Sequence, residues 1–200
     1  MKQNHTAKVG VFGVGLSAYW PQFVGLKERL VGCQDKVEQQ ISEWATVVSG
    51  SLVDDAPAAQ RAGDQFARAG VDLVFCYVGT YSTPSQVLPV VQRAKVPVVV
   101  LNLQPSAALD YPHTDTGEWL ANCSACCVPE LSCAFSRSGI SFWVIKGMLY
   151  PEPDIREPWQ KAWAEIEQWC KAAEVVRHLK NSRVGFLGHA YPGCSICTAT

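Results

Sequence analysis

The sequence has no excess of charge of either sign, because 17 lysines and arginines are balanced by 18 aspartates and glutamates. Proteins that bind nucleic acid usually carry a basic patch or stripe, and this chain has no basic stripe interleaved with aromatic residues. The balance argues against nucleic acid as a partner and gives no support for binding to acidic or membrane surfaces.

Long apolar runs are also lacking, since no run approaches the roughly 18 residues of a membrane-spanning helix. The N-terminal segment MKQNHTAK is polar and leads straight into a predicted strand, which is unlike an export signal. We therefore expect a soluble, cytoplasmic protein with no membrane partner. The nine cysteines should then be mostly reduced thiols.

Groupings typical of hydrolases or nucleotide-binding proteins are absent or incomplete. No Ser/His/Asp grouping or phosphate loop can be assembled. The segment from Gly13 to Ala18, GVGLSA, formally matches the dinucleotide motif G-x-G-x-x-G/A. The following Tyr-Trp-Pro places the helix start beyond the motif, and Asp35 falls within a predicted helix rather than after a second strand. We favour a turn that tolerates glycine over a nicotinamide or flavin site.

Two Cys-x-x-Cys pairs allow a zinc site to be considered. They are Cys123 with Cys126 and Cys194 with Cys197. The pairs lie much further apart than in common zinc ribbons. Small thiols facing a core explain the first pair at least as well.

The clearest structural signal is a strand, a helix and a strand between residues 70 and 104. Leu73 to Val78 and Val96 to Leu101 are nearly all apolar, as in strands buried on both faces of a parallel sheet. Pro84 suits the first turn of the helix between them. The carboxyl ends of the two strands, Gly79 to Ser82 and Asn102 to Ala107, then form the predicted ligand-facing edge.

The same alternation of strands and helices extends along the chain and predicts a doubly wound, mostly parallel α/β sheet of the Rossmann or flavodoxin type. Pro129 should start a second helix rather than continue the one before it. The other predicted elements are a strand over Lys8 to Gly13, a helix opening at Pro21, a strand over Thr46 to Val53, a helix over Ala58 to Ala69 capped by Asp54-Asp55, a loop over Tyr111 to Glu118, a strand over Ile140 to Ile145, a long tryptophan-rich helix after Pro158, and a strand over Arg183 to Leu187.

Two further site candidates follow the last predicted strand. His189 and Tyr191 stand directly after it, at the edge where such sheets bind ligands. A plain turn built by Pro192-Gly193 is an equally good explanation from the residues alone.

Three segments together resemble the L-arabinose and L-fucose isomerase family. They are WLANCSACCVPELSCAFSRSGI, the long tryptophan-rich helix, and RVGFLGHAYPG, which is the most specific of the three. The resemblance runs from about Lys8 to Gly193. It implies a Rossmann-like first domain over residues 1–180 and the first strand of a truncated second α/β domain over residues 181–200.

The resemblance also implies an activity and a site. Family members interconvert aldoses and ketoses through an enediol, with carboxylates and a histidine around a divalent metal, usually manganese. Those ligands lie in later domains of the family, so no cofactor is expected in this chain. The implied substrate-binding residues are Tyr19, Gln104, His189 and Tyr191, contacting a pentose or deoxyhexose in a homo-oligomer. One difference is Leu16, near which the family carries a glutamine.

The C-terminal residues depart from the family pattern, which continues as PGM-LDMY. After loss of one base from the preceding glycine codon, the letters of ATG CTC GAT ATG TAC are read as TGC TCG ATA TGT AC, which encodes the Cys-Ser-Ile-Cys-Thr found at 194–198. Residues 194–200 are therefore interpreted as an out-of-frame tail, and the chain as an N-terminal fragment inactive by itself. The alternative interpretation is a stand-alone α/β module that binds a small polar ligand. A dinucleotide-dependent enzyme is the third interpretation.

Overall fold

The computed structural model describes residues 6–183 and 185, apart from the side chain of residue 125. Five strands alternate with six α-helices in this part of the chain. They are β1 (Lys8–Val14), α1 (Leu26–Ile41), β2 (Thr46–Val53), α2 (Ala56–Ala69), β3 (Leu73–Val78), α3 (Pro84–Ala94), β4 (Val98–Gln104), α4 (Thr116–Leu120), α5 (Ser124–Arg137), β5 (Phe142–Met148) and α6 (Glu157–Asn181).

All neighbouring strands pair in parallel, and their order in the sheet is β2-β1-β3-β4-β5. This is the flavodoxin-like doubly wound arrangement. The predicted fold class is confirmed.

Helices cover both faces of the sheet, which explains why its central strand reads as a continuous apolar run. Every residue of β3 is buried. Leu73, Phe75 and Tyr77 belong to the core beneath α1 and α6, whereas Val74 and Cys76 belong to the core beneath α2, α3 and α5. Successive side chains therefore alternate between two apolar layers.

The helix predicted to open at Pro21 begins instead at Leu26. Gly25 precedes it with φ of 83°, a left-handed conformation that interrupts a helix and favours glycine. Phe23 lies before the helix and packs on Tyr19, with ring centroids 6.0 Å apart. Within α1, Leu30, Cys33, Val37 and Ile41 recur every three or four residues and are buried on one face.

The predicted cap and C-terminal end of α2 are confirmed, although the helix begins at Ala56 rather than Ala58. The Asp55 carboxylate accepts a hydrogen bond of 2.6 Å from the backbone N–H of Ala58, which is an N-cap interaction. Gly70 ends the helix in the left-handed conformation, with φ of 61°.

The prediction that Pro129 starts a new helix is wrong. The break falls earlier, between α4 and α5, and Pro129 lies inside α5. A proline there removes one helical hydrogen bond. Cys127, Leu131 and Phe135, spaced four residues apart, are fully buried in the core, and their packing holds the helix together across the proline.

Three other boundaries differ from the predictions. The predicted loop over 111–118 contains the start of α4, because the Asp115 side chain caps it by accepting a 2.7 Å hydrogen bond from the N–H of Glu118. β4 runs on to Gln104, and β5 covers Phe142–Met148 rather than Ile140 to Ile145.

The long tryptophan-rich helix is α6. Its buried residues are Ala162, Trp163, Ile166, Cys170 and Ala173. Among the described residues, no helix combines the length and apolar character needed to cross a membrane. The strand expected over Arg183 to Leu187 falls largely outside the described part of the chain.

Candidate functional site

The carboxyl edge of the sheet holds the candidate site. In this strand order the topological switch lies between β1 and β3, and ligands of such sheets bind beyond the strand ends around that point. The loops after β1 and β3, the end of β4 and the first turn of α5 all reach this edge.

Three polar side chains form a connected cluster at the end of β4. The Gln104 amide nitrogen Nε2 donates hydrogen bonds to Ser124 Oγ at 2.5 Å and to Asn102 Oδ1 at 3.3 Å. The Ser124 hydroxyl in turn donates to Asn102 Oδ1 at 2.8 Å. Ser124 is buried, whereas Asn102 and Gln104 are partly exposed.

The pleat of β4 explains why these side chains meet. Asn102 and Gln104 are two residues apart and therefore point to one face of the sheet, towards Ser124 in the first turn of α5. Leu101 and Leu103 point to the opposite, apolar layer. Amides and hydroxyls both donate and accept hydrogen bonds, so this cluster has the chemistry that recognises the hydroxyls of a small polar ligand.

Tyr19 lies in the loop after β1, in a 3-10 turn over Ser17–Tyr19. Partial burial raises the pKa of its phenol, and the nearby thiols of Cys123 and Cys127 raise it further. Tyr19 packs against the apolar cluster of Leu26, Leu30, Leu120 and Ala121, which reaches the residues just before α5. Gln104 contacts the first turn of α5 directly, through Ser124.

The loop after β3 is also tied to this region. Thr80 Oγ1 donates a 2.8 Å hydrogen bond to the carbonyl of Leu120. The Tyr81 hydroxyl donates to Glu130 Oε2 at 3.1 Å, and this hydrogen bond is the main cause of the raised pKa of Tyr81. The predicted edge segment from Gly79 to Ser82 thus lies beside α4 and α5.

Asp54, just after β2, fixes the first loop. Its carboxylate accepts hydrogen bonds from Trp20 Nε1 at 2.7 Å and from Lys27 Nζ at 3.2 Å. A Cβ atom on Gly15 would lie 2.9 Å from the Trp20 ring. This glycine is therefore needed for the close approach of the ring, and α1 starts well beyond the G-x-G-x-x-A segment.

The cysteines near the site form no metal centre with other described groups. Among the described residues, no set of three or more His, Cys, Asp or Glu side chains could hold a metal ion. Cys127 donates through its thiol to the carbonyl of Ser82 at 3.2 Å, and burial raises its pKa to about 11. Cys194 and Cys197, the other half of the considered zinc pattern, lie outside the described residues.

Two clefts lie around the start of α4, and neither is lined by Gln104 or Tyr19. One of about 540 Å³ runs between the loop before α1 and the start of α4, and another of about 360 Å³ is lined by residues from Ala108 to Glu118. Arg29 and Glu118 form a two-pronged ion pair in the wall of the first cleft. This pair was not among the sequence predictions, because its members are 89 positions apart.

The other two predicted site residues, His189 and Tyr191, lie outside the described residues. Of the residues not singled out from sequence, Ser124 has the most direct contact with a predicted one. The one sequence feature that points to Ser124 is its place at the start of a helix. That feature does not reveal Gln104 or Asn102 as its hydrogen-bond partners.

Comparison with protein-family models gave no match, and comparison with curated proteins also gave none. Among solved structures, the chain is similar to Est24, a carbohydrate acetylesterase from Sinorhizobium meliloti. The match has a TM-score of 0.42 and 14% sequence identity, and it covers 86% of this chain and 99% of that chain. At this level of similarity the match carries no inference about ligand or activity.

Proposed function

We propose that this chain supplies substrate-contacting loops to an aldose–ketose isomerase of the L-arabinose and L-fucose type. The observation that carries the proposal is the Gln104 amide at the carboxyl edge of the sheet, which is hydrogen-bonded to Ser124 and Asn102. The resemblance assigns this position to a sugar-contacting glutamine. Tyr19, assigned the same role, reaches the edge from the loop after β1.

In this proposal the chain binds and orients the sugar without performing the proton transfer. Side-chain amides and hydroxyls match the alternating hydroxyls of a pentose or deoxyhexose. The isomerases that the chain resembles use manganese, which prefers oxygen and imidazole ligands. The described residues do not fit that metal, since they provide no suitable ligand cluster. We assign no manganese ligand and no chemical step to them.

The test is a titration of the isotope-labelled full chain with L-arabinose and L-fucose, followed by NMR. We expect saturable shifts of the Asn102 and Gln104 side-chain amides, and their loss in Gln104→Leu. The matched control is Gln39→Leu on the exposed side of α1, which should behave like the parent chain.

Two outcomes would count against the proposal. Sugar-induced shifts that avoid the β4 end, or that survive in Gln104→Leu, would remove Gln104 from the site. Saturable binding of a small polar compound other than a sugar, with no response to either sugar, would favour the stand-alone binding module. The chain with manganese and L-arabinose alone should show no turnover.

A further inference from the structure

Two cysteines occupy the first turn of α5 in an arrangement that the proposed function does not use. Cys123 is the N-cap residue and Cys126 is the third residue of the helix. The N–H of Cys126 donates to the carbonyl of Cys123 at 3.3 Å. Side chains at these two positions face each other, as they do in a capping box.

The two thiols are neighbours at the start of the helix, because the backbone hydrogen bond between the two residues closes the turn. Their surroundings differ. Cys126 is exposed, whereas Cys123 is buried. The pKa of Cys123 is raised to about 12, mainly by burial and then by the neighbouring Cys126. In disulfide exchange, the exposed thiol of such a pair reacts first with an external disulfide, because it is the accessible one. The buried thiol then resolves the mixed disulfide.

The neighbouring cysteines lack this arrangement. Cys127 is fully buried and its thiol donates to the Ser82 carbonyl. Cys76 is fully buried in the core. Cys133 is exposed on the same helix, more than one turn beyond the pair.

We propose that Cys123 and Cys126 are a redox-active pair that forms a reversible disulfide at the start of α5. The Cys126 thiolate attacks one sulfur of a small-molecule disulfide, breaks its S–S bond and releases one thiolate. The Cys123 thiolate then attacks Sγ of Cys126, forms the Cys123–Cys126 bond and releases the second thiolate. The pair is oxidised by two electrons, the external disulfide is reduced, and the two released thiolates take up the protons lost from the cysteines.

The position of the pair connects it to the candidate site. Ser124 lies between the two cysteines in sequence and receives the Gln104 hydrogen bond. Tyr19 packs against the apolar cluster that includes Leu120 and Ala121, just before Cys123. Oxidation therefore changes the covalent structure of the turn that carries Ser124. The inference does not depend on a sugar being the ligand.

The experiment equilibrates the full chain with mixtures of reduced and oxidised glutathione, alkylates the remaining thiols and digests after glutamate. Cleavage after Glu118 and Glu130 releases residues 119–130, which separates the pair and Cys127 from Cys133. We expect an oxidised fragment that is two hydrogens lighter and alkylated only at Cys127. Its equilibrium constant should be about tenfold or more above that of the urea-denatured chain, because folding holds the sulfurs together.

Variants make the result specific. Cys126→Ser should abolish the internal disulfide of the fragment, and Cys133→Ser, which removes another exposed thiol from the same helix, should leave it intact. Alkylation at Cys126 in the oxidised fragment, a disulfide that persists in Cys126→Ser, or an equilibrium constant equal to that in urea would each overturn the proposal. Circular dichroism of Cys126→Ser verifies that the variant is folded.

Discussion

The side-chain amide of Gln104 donates a 2.5 Å hydrogen bond to the hydroxyl of Ser124, 20 positions further along the chain. The bond joins the end of β4 to the first turn of α5. It gives a predicted site residue a defined orientation, because Ser124 is buried and also bonded to Asn102.

Ser124→Ala tests the strength of this link. Removing the hydroxyl takes away one partner from Gln104 and one from Asn102, and unsatisfied polar groups in a partly buried position cost about 1–3 kcal/mol. We expect a fall of that size in the free energy of unfolding, measured with urea. Ser136→Ala, at an exposed position of the same helix, should change it by less than about 0.5 kcal/mol. Equal effects of the two substitutions would contradict the assigned role of Ser124.

Two glycines inside helices should respond in opposite directions to alanine. A Cβ on Gly63 of α2 would lie 2.9 Å from the backbone oxygens of Pro89 and Val90 in α3, whereas a Cβ on Gly32 of α1 meets nothing within 4 Å. Gly63→Ala should destabilise the protein by about 1–3 kcal/mol through overpacking. Gly32→Ala should stabilise it by about 0.5–1 kcal/mol, because alanine favours helix. Thermal unfolding of both variants measures the difference, and a stabilising Gly63→Ala would show that α2 and α3 do not approach so closely.

The N-cap of α2 provides a third prediction. Asp55→Ala removes the acceptor for the Ala58 N–H and should lower the free energy of unfolding by about 1 kcal/mol. Asp55→Asn keeps an acceptor oxygen and should retain most of the stability. Urea unfolding of the two variants gives the comparison, and an equal loss in both would indicate that the carboxylate acts through charge rather than as a cap.

The ion pair between Arg29 and Glu118 predicts a pH-dependent coupling. The hydrogen bond from Arg29 holds the pKa of Glu118 below its usual value of 4.5. Because the pKa is lower in the folded state than in the unfolded state, the stabilisation is fully present above about pH 4.5 and is lost as the pH falls through the lower, folded value. Both side chains are more than a third exposed, so solvent screening limits the coupling to less than about 1 kcal/mol.

A double-mutant cycle with Arg29→Met and Glu118→Gln measures this coupling. We expect it to be larger at about pH 7 than at about pH 3, where Glu118 becomes protonated. A coupling that grows in acid would have the wrong sign for this pair.

Local signals in the sequence accounted for many elements. The uninterrupted apolar run of β3 predicted a strand buried on both faces, and all its residues are buried. Asp55 and Gly70 marked the two ends of α2, because caps depend on residues within one turn of the helix end. The carboxyl edge could also be predicted locally, because it requires only the positions at which the parallel strands end.

Local signals failed where distant packing decides the outcome. Pro129 remains inside α5 because Leu131 and Phe135 are anchored in the core, and that stabilisation is invisible in a helix considered alone. α1 starts at Leu26 rather than at the predicted Pro21, because Gly25 adopts a left-handed conformation. Phe23, before the helix, packs on Tyr19.

The alternation of buried strands and amphipathic helices is encoded in local sequence patterns, and the doubly wound parallel sheet with its carboxyl edge follows from it. Which polar groups meet at that edge depends on tertiary packing. The hydrogen bonds from Gln104 to Ser124 and from Thr80 to the Leu120 carbonyl join segments that are 20 and 40 positions apart in the chain. Such contacts depend on how whole elements pack, and no periodicity or spacing within one element encodes them.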